Sequence, residues 1–255
     1  MSGDSIQIRN CHQLEEMRTC VALQKEVWNF TDIDLVPLRM FVVAGKIGGQ
    51  VIGAFDGKEM IAFLLAIPGA REGRSYLHSH MLAVSAGYRN DGIGRQLKLF
   101  QRIEALSRGI DLMEWTFDPL EIKNSFLNIH KLGAVVRSYT SNFYGVSSSR
   151  LQGGLPTDRL HAEWWMQSER VEAILSGVPA APLDIQQTIL VPHAIGTWKS
   201  STEDQAHALA VQTENRIRLQ EAFARGLAII DFRTDAEGNG IFGLGPWEEP
   251  TSPQR

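Results

Sequence analysis

The stretch LAVSAGYRNDGIGRQLKLF, Leu82 to Phe100, carries the most information about this chain. An apolar run, Leu82-Ala83-Val84, leads through Arg89-Asn90-Asp91-Gly92-Ile93-Gly94 into a helix that places Ile93, Leu97, Phe100 and Ile103 toward one face. A glycine turn opening a helix leaves the first backbone N–H groups without intrahelical partners. Those donors, reinforced by the helix dipole, suit a pyrophosphate. Gly92 and Gly94 let phosphate oxygens approach with no Cβ in the way, and Arg89, Arg95 and Lys98 would add positive charge. A dinucleotide fingerprint would need glycine where Leu97 stands, and a P-loop would need Gly-Lys followed by Ser or Thr. Neither pattern is present.

Upstream of this stretch, Ile6 and Ile8 mark a short strand, His12 to Trp28 a helix, and Phe30 to Arg39 a loop. Gly49 to Phe55 and Met60 to Ile67 read as strands joined across Asp56-Gly57, a hairpin signal because the turn needs positive φ. Pro68 and Gly69 are expected to close the second strand, and Tyr76 to Val84 forms a third. Downstream, the helix should stop near Gly109, followed by a strand from Ile110 to Phe117. A helix from Ile122 to Lys131, an extended Ala134-Val135-Val136 and a strand from His161 to Met166 complete this unit. Past Gly177, Pro179, Pro182 and Pro192 suggest a linker around a strand at Ile189 to Val191. A long helix from Glu203 to Arg225 and a strand pair, Leu227 to Phe232 and Gly240 to Leu244, come last, before a charged tail expected to fray from Trp247 on. The expected division is therefore a domain over 1–177 and a smaller α/β extension over 178–255.

Composition narrows the function classes. The 255 residues carry a net charge of -4, which argues against a polyanion-binding surface and so against a nucleic-acid partner. No run approaches a membrane span, and the opening residues lack a signal-peptide core. The two cysteines, Cys11 and Cys20, are too few for a disulfide framework. The expectation is a soluble cytoplasmic protein that binds no membrane.

The order helix, hairpin, strand, glycine turn, helix, strand, helix, strand, with Arg-x-x-Gly-x-Gly at Arg89 to Gly94, resembles the acyltransferases of the GNAT (GCN5-related N-acetyltransferase) superfamily. The stretches Ser79-His80-Met81, Trp115 to Leu120 and Pro156 to Leu160 are similar to a bacterial branch of predicted GNAT proteins. The resemblance covers Ile6 to about Met166. It implies an α/β fold with a central mixed, splayed sheet flanked by helices, and acetyl-CoA or another acyl-CoA as co-substrate. It further implies that Leu82, Ala83 and Val84 pair with pantetheine and that Asn90, Asp91, Gly92, Ile93, Gly94 and Arg95, with Arg89, hold the pyrophosphate. Phe117, Asp118 and Asn124 would border the thiol end.

Acyl transfer to an amine needs that amine neutral when it attacks, which calls for a general base. His78 and His80 lie two apart on one strand, share a face by strand alternation, and titrate near neutrality. The run His78 to Val84 is similar to the equivalent strand of serotonin N-acetyltransferase, where two histidines at this spacing help deprotonate the amine. The bland reading keeps both as half-exposed or satisfied strand histidines, and no third ligand at sequence range makes them a metal pair. At the position of the family's usual thiolate acid, a tyrosine before Lys131-Leu132-Gly133, this chain has Ile129. Water, Tyr144 or His130 would have to serve, or the acid is absent. Two functions follow: acyl transfer to a small-molecule or peptide amine, with His80 and secondarily His78 as base, or a non-catalytic acyl-CoA-binding or sensing module. A homodimer is compatible with either.

Overall fold

The computed structural model describes residues 6–145, 147, 149, 152–178 and 182–250. Pro179 and the end of the tail, 251–255, lie outside the described residues. The chain forms two compact units, one reaching Glu114 and one holding the bulk of the chain from Trp115 on. The sequence boundary at Gly177 falls inside the second unit.

In the first unit, strands β1 (Gln7–Asn10), β2 (Gln50–Asp56), β3 (Glu59–Arg71), β4 (Arg74–Val84) and the start of β5 (Leu112–Phe117) lie side by side in that order. All ladders are antiparallel except β4 with β5. Asp56 pairs with Glu59 across a tight turn in which Gly57 takes a φ of 57°. The expected end of β3 at Pro68-Gly69 is not observed. The strand runs on to a second tight turn, where Glu72 and Gly73 take φ of 52° and 77°, the two positive values that a type I′ hairpin requires.

Helix α1 (Leu14–Trp28) opens with a reciprocal capping box between Gln13 and Glu16. Leu38–Lys46 is a further helix, α2, begun by Pro37, in a region where the sequence suggested loop through Arg39. Met17, Cys20 and Leu23 of α1 and Phe41 and Ala44 of α2 pack on Phe63, Leu65, Met81 and Ala83. Each Leu, Phe or Met among them contributes roughly 1.5–3 kcal/mol by leaving water. Both cysteines are free and buried in this core. Helix α3 (Ile93–Ser107) buries Ile93, Leu97, Lys98, Gln101 and Ala105. Ile103, expected on the inner face, is 67% exposed.

The second unit orders its strands as the rest of β5, β7 (Arg159–Trp165), β6 (Val135–Thr140), β9 (Leu227–Thr234), β10 (Gly240–Pro246) and β8 (Gln187–Val191). Helix α4 (Ile122–Ser125) passes into a π-helical turn, Phe126–Lys131. The chain leaves this turn through Gly133, whose φ is 80°. Helix α5 (Glu169–Ser176) follows β7, and α6 (Ile195–Ser200) and α7 (Gln205–Ala224) follow β8. The buried face of α7 is not purely apolar. Its buried positions are Ala208, Gln212, Asn215, Leu219 and Ala222, two of them amides. No helix among the described residues is long and apolar enough to cross a membrane.

Candidate functional site

The register of β4 determines what its edge presents. Leu65 pairs with Met81 but Ala66 pairs with Ser79, so His80 is an extra residue, a β-bulge. The bulge switches faces: Ser79 turns toward α3, where its hydroxyl meets Lys98 and Gln101, while Met81 and Ala83 enter the α1–α2 core. The simple alternation read from the sequence is thus interrupted at His80. The rings of His78 and His80 nonetheless lie 6.1 Å apart, tilted by 40°. Burial pulls the His80 imidazole below its ordinary range, so it is neutral at physiological pH.

Past the bulge, the Ser85 amide donates to Ile61 O, which makes Ser85 and Ile61 a hydrogen-bonded pair. Antiparallel pairs alternate, so Ala83–Phe63 is also hydrogen-bonded, whereas Leu82–Leu64 and Val84–Ala62 are not. The backbone N–H and C=O of Leu82 and Val84 therefore point away from β3. The Val84 carbonyl accepts from Arg89 Nε at 3.1 Å. On this side β5 runs parallel to β4 over only two residue pairs, Leu77–Met113 and His78–Glu114.

A short 3-10 turn, Ala86–Tyr88, links the edge to the glycine turn. Asn90 takes a φ of 73° and Gly92 a φ of 79°. Gly92 is the N-cap of α3, with no side-chain cap and no acidic residue in the first turn. The Gln96 amide makes the first intrahelical bond, to Gly92 O, leaving the amides of Ile93, Gly94 and Arg95 at the helix mouth. A Cβ built on Gly92 would meet nothing within 4 Å, so the space over the turn is open. Tyr88 ties the turn to the β2–β3 hairpin by donating to Asp56 Oδ2 at 2.8 Å. The uncapped amides, open cradle and outward strand edge fit a pyrophosphate followed by an amide-bearing chain. Arg89, Asn90 and Asp91 are exposed and Arg95 half-buried at this mouth. Lys98 is not among them: it is 4% exposed and donates to Ser79 Oγ beneath the sheet.

The remaining sequence candidates lie in the second unit. Phe117 is buried at the end of β5 and Asn124 is exposed on α4. Asp118 is engaged structurally. Its Oδ1 accepts from the Leu120 amide, and its Oδ2 binds Lys199 of α6 at 2.8 Å. Ile129 is fully buried, and His130 is exposed with its ring stacked on Phe126. Tyr144 holds its hydroxyl 2.9 Å from Thr116 Oγ1.

Sequence reasoning missed what Pro156-Thr157-Asp158 does. Asp158 is fully buried and accepts from the Tyr139 hydroxyl, from the Asn142 amide at 2.9 Å and from Arg216 Nε at 2.8 Å. The Thr157 hydroxyl accepts from the Tyr144 amide at 2.9 Å and donates to Gly145 O at 3.0 Å. A Thr-Asp pair before a strand signals turn chemistry in the sequence, but not the distant arginine that completes it.

No protein-family model and no curated protein matches the sequence. Solved structures do match. The ribosomal-protein-S18-alanine N-acetyltransferase of Escherichia coli superposes with a TM-score of 0.50 at 15% identity, covering 65% of this chain and 97% of that one. The protein yncA of Salmonella typhimurium, solved with its cofactor acetyl-CoA, gives 0.51 at 15% identity, over 71% of this chain and 99% of its own. A chain of the NatC complex, bound to Gag peptide and CoA, gives 0.50 at 14% identity over 62% of this chain and 97% of that one. The chain carries the GNAT fold over about two-thirds of its length, with additional sequence beyond it.

Proposed function

We propose that this chain, built on the GNAT fold, is an acyl-CoA-dependent N-acyltransferase whose donor site is the β4 edge and the glycine turn. One observation carries the reading: the outward backbone of Leu82 and Val84 leads, through one 3-10 turn at Ala86–Tyr88, to the uncapped amides of Ile93, Gly94 and Arg95. Amide groups along the edge suit a pantetheine chain, and the helix mouth suits its pyrophosphate. Arg89 orders the junction through the Val84 carbonyl and keeps its charge at the mouth. Acetyl-CoA supplies an activated thioester. His80, half-buried and with its pKa lowered by that desolvation, accepts the proton that an ammonium acceptor must lose. His78, whose ring is its neighbour, is the second candidate for that relay.

Titration calorimetry with acetyl-CoA tests the donor site. Wild type is expected to bind, and Gly92→Val to lose binding, because a branched side chain would enter the cradle and resist the positive φ. A folded wild type that did not bind would end this reading. The buried Ile129, where an acid would stand, favours one other reading, a module that binds acyl-CoA without turnover. Binding with no release of free thiol across a panel of primary amines would select it.

A further inference from the structure

We infer that Lys98 is a positioning residue: through the Ser79 hydroxyl it fixes the β-bulge of β4 at His80, and so fixes where that imidazole stands. Two anchors set the β3–β4 pairing at its ends. At the tight turn of Glu72 and Gly73, Arg71 pairs with Arg74, and the same count holds as far as Ala66 with Ser79. In the α1–α2 core Leu65 pairs with Met81, and that second count holds as far as Ala62 with Val84. The two counts differ by one, so one residue of β4 must be extra. Neither anchor decides which residue that is. Were it nearer the turn, the ladder would close up behind it, and His80 would lie opposite Ala66 as an ordinary paired residue.

Ser79 decides it. Its buried hydroxyl accepts from Lys98 Nζ at 2.8 Å and donates to Gln101 Oε1 at 3.3 Å, both on the buried face of α3. Gln50 of β2, which pairs with Ala66, donates to the Gln101 carbonyl at 3.1 Å. Helix α3 therefore grips the row Gln50–Ala66–Ser79 on both sides of β3, and Ser79 is held on the face of Ala66. Met81, two residues on, is held on the opposite face by the α1–α2 core. Residues two apart in a regular strand share a face, so the extra residue has to fall between them, at His80. Stability alone does not account for a lysine here. Burial pulls its amine well below the ordinary lysine value, so the folded chain gives up stability to keep it. A methionine would fill the same place without that cost, but it could not donate to Ser79. As a statement about the base, this deepens the acyltransferase reading and rests on it; the placing of the bulge stands apart from it.

The experiment compares full-length wild type, Lys98→Met, Ser79→Ala and Ser79→Thr, with thermal melts to establish that each is folded. Cross-strand nuclear Overhauser contacts of Ala66 read which residue lies opposite it. Calorimetry reads acetyl-CoA affinity, and thiol release from acetyl-CoA reads turnover with phenethylamine, methylamine and lysine. Wild type is expected to show Ala66 against Ser79. In Lys98→Met and Ser79→Ala, His80 should share or take that place, and kcat should fall about tenfold as the base is misplaced. Acetyl-CoA affinity should hold, because the core sets the pairing from Met81 to Val84. Ser79→Thr, which keeps the hydroxyl, should keep the wild-type pairing and turnover. Ala66 opposite Ser79 alone in every variant would overturn the positioning role. A shifted pairing with unmoved kcat, or a loss of acetyl-CoA affinity matching the loss of kcat, would overturn its link to His80. A wild type that released no thiol with any of the three amines would remove the base and the turnover it serves, while the contacts of Ala66 would still decide whether Lys98 fixes the bulge.

Discussion

The ammonium of Lys199 lies 2.8 Å from Asp118 Oδ2, across 81 residues of sequence, with the Lys199 side chain 4% and the Asp118 side chain 9% exposed. Glu121 completes the cluster at 2.7 Å. Burial alone would lower the lysine, but Asp118 and Glu121 outweigh it and hold the ammonium above its ordinary range. Lys199→Met would leave the Asp118 carboxylate buried without its partner, a loss of about 3–5 kcal/mol. Urea denaturation at neutral pH reads this directly, and a loss below about 1 kcal/mol would show the pair to be superficial.

Lys98 predicts the opposite pH behaviour. It is buried against Ser79 and Gln101, and burial pulls it well below the ordinary lysine value. The unfolded chain then holds a proton that the folded chain has released, so stability rises with pH between the lowered value and about 10.5. For Lys199 the raised value means that its contribution is complete below about 10.5 and fades as pH climbs through the folded value. Melts between pH 7 and 10 should show that Lys98→Met flattens the rise with pH seen in wild type. An unchanged slope would place the Lys98 ammonium in water.

As the base of the proposed reaction, His80 would set the acid limb of turnover. Because burial lowers its pKa, the limb should fall below pH 6.5, and His80→Gln should lower kcat by about 100-fold or more. Full activity of the variant across that range would remove His80 from the chemistry.

A chain ending at Gly177 would lack both Lys199 and Arg216. Asp118 and Asp158 would then be buried charges stripped of their partners, each costing several kcal/mol against a total stability of about 5–15. The 1–177 fragment is expected to show no cooperative melt by circular dichroism. A sharp melt would make residues 178–255 a separable domain, as the shift in composition after Gly177 suggests.

Local chemistry was legible in the sequence where it acts locally. Asp56-Gly57 announced its hairpin, and Gly92 its helix start, because each needs a backbone geometry that few residues accept. Helix α2 escaped because Val42, Val43 and Gly45 disfavour helix, and burial of Phe41 and Ala44 against the sheet decides the matter instead. The bulge at His80 left no mark, since His78-Ser79-His80 alternates as a regular strand would. The outward edge of Leu82 and Val84 depends on that register, so the strand and glycine turn of the proposed donor site were legible and the direction in which the edge faces was not. Asp118 and Asp158 were invisible as ion-pair centres because their cations arrive from α6 and α7.

Strand β8 stands last in the order of the second unit, with β10 on its paired side. Its Leu190 carbonyl accepts from Asn215 at 3.0 Å and its Thr188 carbonyl from Arg218 at 2.8 Å, while Arg225 reaches the Gln187 side chain. An open strand border is a template on which a foreign chain can polymerise. Here α7 occupies the border's acceptors with side chains that offer no ladder of their own, so the helix also guards the unit against runaway self-assembly.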